Sequence, residues 1–375
     1  MKKNCFILGL LFSGFCLTAC SESGTAVSSG TAVRDTMHLD YAEQFSVEYL
    51  ENGCAEISIQ DGFDYLLVPD GVPVPEETGN QIILHQPMNH IYMAASSAMD
   101  LADALGSLDS IALTSTKDWE LPAVQSALEE GRILYAGKYS APDYELILSE
   151  NCDLAIESTM IYHSPEAREQ LLSLGIPVLV ERSSYEAHPL GRMEWIKLYG
   201  LLLGKSDEAE QFFNQKKEIF QNVLDANQQD AGQKTAAFFY ISPNGYINIR
   251  KPGDYISQMI SLAGGTYLFT ADDLQVDDNA LSTMNIQTEV FYQYARDADV
   301  FIYNSTIEGE LSSIDELISK CSVLADCKAI REGNVWCTGQ NLFQQTTGAA
   351  EMIQDFYEIF HEENPEHLTF LHHLE

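Results

Sequence analysis

Basic residues are scarce in this chain of 375 residues, which has 20 Lys and Arg against 56 Asp and Glu and a formal net charge of −36. Affinity for nucleic acids depends mainly on Lys and Arg side chains that neutralise phosphates. Docking on anionic lipids likewise needs a basic face. The composition therefore excludes nucleic acid as a partner and excludes adhesion to an anionic membrane through a basic surface.

The sequence motifs of common enzymes and metal sites are also missing. The chain has no GxSxG nucleophile elbow, no P-loop, no GxGxxG turn after a strand and no HExxH. We therefore expect neither an enzyme nor a resident cofactor or metal. The alternative is a surface-anchored hydrolase, which would need a Ser–His or Asp–Glu constellation that converges in one cleft.

Long hydrophobic runs are absent, since the apolar run from Cys5 to Leu17 is shorter than the roughly 20 residues that span a bilayer. A short basic start precedes this run, which is typical of a secretory signal. The next residues, Leu17-Thr18-Ala19-Cys20, resemble the lipobox of bacterial lipoproteins. We predict a signal peptide over residues 1–19, lipidation at Cys20 and a flexible tether over residues 20–35. The alternative is an ordinary signal peptide with an incidental Cys.

Five cysteines follow the lipobox, namely Cys54, Cys152, Cys321, Cys327 and Cys337. An exported protein can form disulfides, but five is an odd number and the spacing matches no zinc ribbon or CxxC motif. The sequence leaves their pairing open, with one bridge in the Cys321–Cys337 region as one alternative.

Strand-like and helix-like segments alternate along most of the chain. The turn Asp61-Gly62 lies between two runs of β-formers and predicts a hairpin. Helix-like segments that end at Gly then alternate with strand-like ones, first up to residue 180 and again after residue 236. This pattern predicts mainly parallel sheets covered by helices. Between the two runs, residues 190–226 have helical spacing and predict a single helix of roughly 50 Å.

Three segments carry a resemblance to a known family: Gly191-Arg192-Met193-Glu194-Trp195-Ile196-Lys197, Ile260-Ser261-Leu262-Ala263-Gly264-Gly265 and Asp297-Ala298-Asp299-Val300-Phe301-Ile302. In this order and spacing they resemble substrate-binding lipoproteins of bacterial ABC importers, of the class that binds iron–siderophores, haem or cobalamin. The resemblance implies an α/β protein with two Rossmann-like lobes joined by one long helix and a ligand cleft between the lobes. We accordingly predict an N-terminal lobe over residues 36–189, a linking helix over 190–226, a C-terminal lobe over 227–346 and a C-terminal helix and tail over 347–375.

The resemblance also implies a partner, an ABC permease dimer with ATPase subunits. In that family one surface Glu on each lobe docks into arginine pockets of the permease, and the matching positions here are Glu145 and Glu289. The alternative is that both are helix N-terminal acids that stabilise the helix dipole. Glu166 is the nearest competitor in the first lobe. The protein would be exported and lipid-anchored, at the cell surface or on a periplasmic face.

Ligand residues should lie on loops that follow strands and face the other lobe. Our candidates are Tyr92, Trp119, Tyr162 and Arg182 in the first lobe and Tyr240, Arg250, Tyr255, Trp336, Gln340 and Phe343 in the second. Arg250 is notable because a guanidinium suits a carboxylate or an anionic chelate, although a surface ion pair would also explain it. The pair Tyr162-His163 permits haem ligation, or His163 is structural. A free metal ion as ligand, and a surface sensor without transport, remain as alternatives.

Overall fold

The computed structural model describes residues 32–227, 234–277, 282–362, 365 and 368–375. The predicted signal peptide, the lipidation at Cys20 and residues 20–31 of the tether lie outside the described residues. Within the described ranges no helix has the length and apolar character needed to cross a bilayer.

The elements follow one another along the chain as strands, α-helices and short 3₁₀ turns. The strands are β1 Val33–Thr36, β2 Phe45–Leu50, β3 Ala55–Ile59, β4 Phe63–Val68, β5 Ile82–His85, β6 Ile91–Met93, β7 Ile111–Thr114, β8 Leu134–Tyr135, β9 Gly137–Lys138, β10 Ala141–Pro142, β11 Leu154–Ser158, β12 Val178–Glu181, β13 Thr235–Ile241, β14 Ile247–Arg250, β15 Thr266–Tyr267, β16 Thr283–Ile286, β17 Val300–Tyr303, β18 Val335–Thr338 and β19 Leu371–His373. The α-helices are α1 Ser96–Ala104, α2 Pro122–Glu129, α3 Tyr144–Ser149, α4 Pro165–Ser173, α5 Pro189–Leu202, α6 Ser206–Asn227, α7 Tyr255–Leu262, α8 Ala271–Leu274, α9 Thr288–Ala295, α10 Ser305–Glu308, α11 Ile314–Lys320, α12 Lys328–Glu332 and α13 Ala349–His361. The 3₁₀ turns are Leu108–Ser110, Thr159–His163, Ser183–Tyr185, Ser322–Asp326, Gln340–Phe343 and Thr346–Gly348.

The first lobe begins with a five-stranded sheet of order β1-β2-β3-β4-β5. The predicted hairpin is present as β3 and β4, which pair antiparallel across the Asp61-Gly62 turn. Gly62 has a φ of +85°, which glycine adopts at low cost. Strand β2 alternates buried and exposed residues, as expected where one face of a sheet meets a core. The hairpin is therefore part of a larger sheet that precedes the α/β region.

The second sheet of the first lobe has the order β12-β11-β6-β7-β8, and all of its neighbouring strands are parallel. Its strands β6 and β12 are buried along their whole length, as expected for a parallel sheet covered on both faces. This confirms the prediction of a parallel α/β lobe.

The second lobe has a sheet of order β16-β14-β13-β17-β18-β19, with β15 paired to β13. Strands β13, β17 and β18 are parallel, whereas β14, β16 and β19 run antiparallel to their neighbours. The predicted C-terminal tail is part of this sheet at residues 371–373, where β19 pairs with β18 and His372 Nε2 lies 3.0 Å from the carbonyl oxygen of Leu311. The two-lobed α/β fold is confirmed, with antiparallel strands at the edges of the second sheet.

The linking segment contains a long helix, α6 of 22 residues, but the single helix predicted over residues 190–226 is wrong. Helix α5 ends before Gly204, whose φ is +69°. The amide of Lys205 then donates to the carbonyl of Gly200 at 2.6 Å, and the amide of Gly204 donates to that of Leu201, as in a Schellman stop. A Cβ on Gly200 would lie 2.5 Å from that of Ala209, so α5 and α6 pack closely.

The two lobes also meet through side-chain to backbone hydrogen bonds. Gln344 accepts a bond from the amide of Glu120 at 2.7 Å and donates to the carbonyl of Asp118 at 3.1 Å. Asp100 on α1 accepts a bond of 2.7 Å from the amide of Thr347. These contacts place the loops that follow β18 against the first lobe.

The five cysteines that follow the lipobox are all described by the structure. Each carries a free thiol, and Cys54, Cys327 and Cys337 are buried. The bridge considered for the Cys321–Cys337 region is therefore not formed.

Candidate functional site

A cavity of about 500 Å³ lies between the two lobes, and we call it the cleft. The first lobe lines it with the turns that follow β11 and β12. The second lobe lines it with the C-terminal end of β14, the N-terminal end of α7 and the turn after β18. Its lining residues are Thr159, Met160, Tyr162, His163, Ser184, Tyr185, Arg192, Arg250, Asp254, Tyr255, Ser282 and Phe343. The volume is that of a site for one small molecule, and loops after parallel strands are the expected place for it.

Arg250 provides one positive charge of the cleft. It ends β14 and is only 7% exposed, with its guanidinium 5.3 Å from the ring centre of Phe343. Its Nη1 lies 3.4 Å from Oδ2 of Asp254. Asp254 also caps α7, because its Oδ1 accepts a hydrogen bond from the amide of Ile256. The carboxylate is thus shared, and this long contact uses only one of the five guanidinium N–H groups.

Arg192 provides a second positive charge from α5. Its guanidinium lies 3.9 Å from the ring centre of Tyr255, at cation–π distance. Among the described residues it has no salt-bridge partner, although it is only 9% exposed. The cleft thus receives two arginines and a single nearby carboxylate, in a chain of net charge −36.

The first lobe contributes a group of aromatic side chains arranged around Arg182. Arg182 Nη1 donates to the hydroxyl of Tyr162 at 2.9 Å, and its guanidinium lies 4.5 Å from the ring centre of Tyr185. Burial raises the pKa of the Tyr162 hydroxyl, while the bond from Arg182 opposes that shift. Tyr162 and Tyr185 are 37% and 41% exposed, so both rings are accessible from the cleft.

The structure brings some of the predicted ligand residues together. Tyr162, Arg250, Tyr255 and Phe343 line the cleft, and Arg182 lies directly behind Tyr162. Tyr162, Arg182 and Phe343 follow a strand, as the sequence reasoning requires, whereas Arg250 ends β14 and Tyr255 begins α7.

The other predicted ligand residues do not line the cleft: Tyr92, Trp119, Tyr240, Trp336 and Gln340. Tyr92 is fully buried within β6, and Trp119 is buried with its Nε1 bonded to the carbonyl of Thr116. The ring of Trp336 packs at a tilt against that of His373, with ring centres 4.9 Å apart, beside a different cavity. Tyr92, Trp119 and Trp336 are thus core residues, whereas Tyr240 is half-buried and Gln340 is exposed outside the cleft.

Sequence reasoning missed Arg192, Tyr185 and Asp254 as residues of the cleft. Arg192 lies in a segment that resembles the family and is not among the predicted ligand residues. The available signal was its setting, since α5 is otherwise mostly apolar and buried, and a cation there needs a partner or a cavity. Asp254 and Tyr185 carried no such signal.

The two residues predicted to dock lie at the starts of two short helices. Glu145 is in the first turn of α3 and Glu289 in the first turn of α9, and both are exposed. Within the described part of the chain neither carboxylate forms a salt bridge. Exposed apolar side chains accompany them, Leu148 near Glu145 and Val290 beside Glu289. Glu166, the competitor, is also exposed in the first turn of α4.

In the ranges that the structure describes, no group of three or more His, Cys, Asp or Glu residues is placed to hold a metal ion.

Comparisons with known proteins agree with this architecture. An uncharacterized lipoprotein of Methanocaldococcus jannaschii is 25% identical over 316 residues, which cover 80% of this chain and 73% of that protein. A periplasmic heme binding protein from Pseudomonas aeruginosa has a similar structure, with a TM-score of 0.61, 17% identity and coverage of 76% of this chain and 98% of the other. A protein of an ABC-type Fe³⁺-hydroxamate transport system from Saccharomonospora viridis gives a TM-score of 0.58, 18% identity and coverage of 73% and 94%.

Residues 91–342 match the family model described as periplasmic binding protein. That range includes the parallel sheet of the first lobe, helices α5 and α6, and most of the second lobe. It covers more than half of the chain, and the protein therefore belongs to the periplasmic binding protein family.

Proposed function

We propose that this protein is an extracytoplasmic lipoprotein that captures an anionic iron chelate, haem or a corrinoid in the cleft and delivers it to an ABC permease. The observation that carries the proposal is the charge of the cleft. Arg192 and Arg250 face one cavity of about 500 Å³ with a single carboxylate nearby, in a strongly acidic chain. Selective placement of scarce cations favours an anionic ligand.

The rest of the lining supports a large, partly apolar ligand. Tyr162, Tyr185, Tyr255 and Phe343 offer aromatic faces, and guanidinium groups bind carboxylates through paired N–H donors. Haem, with its two propionates, and ferric siderophores with a net negative charge, such as tris-catecholates, present such a combination of anionic groups and planar or apolar surface. His163 and Tyr162 lie together on the lining, which supports haem as one ligand of this class.

Absorption spectroscopy of residues 21–375 tests the ligand class. The protein is titrated with haemin, cobalamin and a panel of ferric siderophores, and we expect a saturable spectral change with one of them. Arg192→Gln should weaken that ligand at least about tenfold, since a hydrogen bond to a charged group contributes about 1.5–3 kcal/mol. Arg192 is the variant of choice because its loss leaves no carboxylate without a partner.

Arg331→Gln serves as the matched control, because Arg331 is exposed on α12 and does not line the cleft. Equal affinity of the wild type, Arg192→Gln and Arg331→Gln would contradict an anion site at Arg192. If no compound changes the spectrum of the wild type, the proposed ligand class is contradicted.

We propose further that Glu145 and Glu289 are the docking residues for the permease. Two exposed carboxylates, one on each lobe, match a two-fold symmetric partner with arginine pockets. The experiment is stimulation of permease ATPase activity by the loaded protein in proteoliposomes. Glu145→Gln and Glu289→Gln should each reduce it without changing ligand affinity, whereas Glu166→Gln should not. Reduction by Glu166→Gln alone would move the first docking site to α4.

Lipid anchoring at Cys20 is part of the same proposal. Cys20→Ser should move the protein from the membrane fraction to the soluble fraction. A Cys20→Ser variant that stays in the membrane fraction would contradict the anchor.

A further inference from the structure

The segment before β2 is bound tightly to the start of α5. Glu194, fully buried on α5, accepts hydrogen bonds of 2.7 to 3.1 Å from the amides of Asp40, Tyr41 and Ala42. Its Oε1 also lies 3.1 Å from Nζ of Lys197. A carboxylate with a cation and three amide donors is fully satisfied when buried, so it fixes this stretch of backbone.

A second buried carboxylate, that of Glu186, binds the next two residues of the same segment. Glu186 accepts hydrogen bonds from the amides of Glu43, at 2.8 Å, and Gln44, at 3.0 Å. The indole Nε1 of Trp195 donates to the same carboxylate at 2.9 Å. The backbone of Gln44 is thereby held against the loop that follows β12.

From this position the side chain of Gln44 reaches Arg182. Its Oε1 accepts two hydrogen bonds, from Nε of Arg182 at 3.1 Å and from Nη2 at 3.0 Å. Arg182 uses Nη1 for Tyr162 on the cleft lining. No carboxylate of the described residues forms a salt bridge with Arg182, so Gln44 orients the guanidinium and leaves its charge in place.

We propose that Gln44 is a positioning residue of the ligand site, which fixes Arg182 and through it the hydroxyl of Tyr162 on the cleft wall. Gln44 precedes the family-matched residues 91–342 and directly precedes β2 of the N-terminal sheet. The segment that leads into this sheet thus helps to hold Arg182 in place beside the site. The inference rests on the proposed function for its effect on ligand affinity, and on the contacts of Arg182 alone for its effect on Tyr162.

The test uses Gln44→Met, which keeps the length and volume of the side chain and removes the acceptor oxygen. Gln60→Met is the matched control, because Gln60 is exposed in the turn after β3 and its side chain does not contact Arg182. The first measurement needs no ligand. NMR titration of ring-labelled tyrosine, with Tyr162→Phe to assign the signal, reports the pKa of Tyr162. We expect this pKa to rise in Gln44→Met, because Arg182 is no longer held in place to donate.

The second measurement is the affinity for haemin or a ferric tris-catecholate, whichever the wild type binds. We expect Gln44→Met to weaken it about tenfold, the order expected when a charged hydrogen-bond donor loses its position. In an Arg182→Gln background the same substitution should have no effect, since Gln44 acts through Arg182. A purely structural role would instead change affinity equally in both backgrounds.

The outcomes separate the two claims. An unchanged Tyr162 pKa in Gln44→Met, or an equal loss of affinity with and without Arg182, overturns the positioning role. A wild type that binds neither compound overturns the proposed ligand class instead, while the Tyr162 titration still decides whether Gln44 positions Arg182.

Discussion

A buried acid in the first lobe gives a quantitative test of the structure. Glu157 on β11 is fully buried, and among the described residues neither of its carboxyl oxygens has a hydrogen-bond partner. Burial raises its pKa from the usual 4.5 to about 8. The group is therefore neutral in the folded protein at pH 7, whereas it is ionised once the chain unfolds.

The sign and size of the effect follow from linkage. Because the folded pKa lies above the unfolded one, the folded state binds more protons between pH 4.5 and 8, and its stability falls as the pH rises through that range. The loss is about 3 kcal/mol at pH 7 and approaches about 4–5 kcal/mol above pH 8. Glu157→Gln removes the titration, so this variant should be more stable than the wild type by these amounts. Below about pH 5 the two should differ by less than about 1 kcal/mol from this cause.

Urea denaturation at pH 5, 7 and 8.5 measures the difference. Glu169→Gln is the matched control, since Glu169 is exposed on α4 and its carboxylate stays in solvent when the chain folds. A stability difference between Glu157→Gln and wild type that stays constant from pH 5 to 8.5 would refute the argument from burial.

Two further substitutions test the packing that supports the site. Glu194→Gln should cost about 1–3 kcal/mol of unfolding free energy, because backbone amides that donate to the buried carboxylate lose an acceptor, while Lys197 keeps Glu210 as a partner at 3.2 Å; a loss below about 0.5 kcal/mol in urea denaturation would contradict the buried carboxylate. Gly200→Ala should cost about 1–3 kcal/mol, because its Cβ would lie 2.5 Å from that of Ala209 and 2.9 Å from the carbonyl oxygen of Lys205; an unchanged thermal midpoint would show that α5 and α6 are less tightly packed than described.

Most of the architecture can be predicted from the sequence, because the residues that end its helices and strands are local signals. Glycines with positive φ, such as Gly106, Gly131 and Gly175, end the helices of the first lobe and separate them from the strands that follow. Gly204 also has a positive φ and ends α5, but the helical spacing of apolar residues continues across it. The sequence pattern therefore predicts one helix where the structure has two. Strand β6 is not predicted from the sequence, because its three residues are too few for a clear period-2 pattern.

The site was only partly accessible because it depends on contacts between distant residues. The sequence placed Tyr162 and Arg250 at loops, but it carries no signal for the direction of a buried ring such as Tyr92 or Trp336. The bond between Gln44 and Arg182 joins residues 138 positions apart, and only the packed N-terminal sheet brings them together.

Titration of the purified protein with haemin and ferric siderophores, followed by visible absorption, tests the central claim most directly. The account predicts saturable binding of at least one of these anionic chelates, weakened at least about tenfold by Arg192→Gln and unchanged by Arg331→Gln. Absence of binding across the panel, or an affinity that Arg192→Gln leaves unchanged, would contradict the proposal that the cleft binds an anionic chelate.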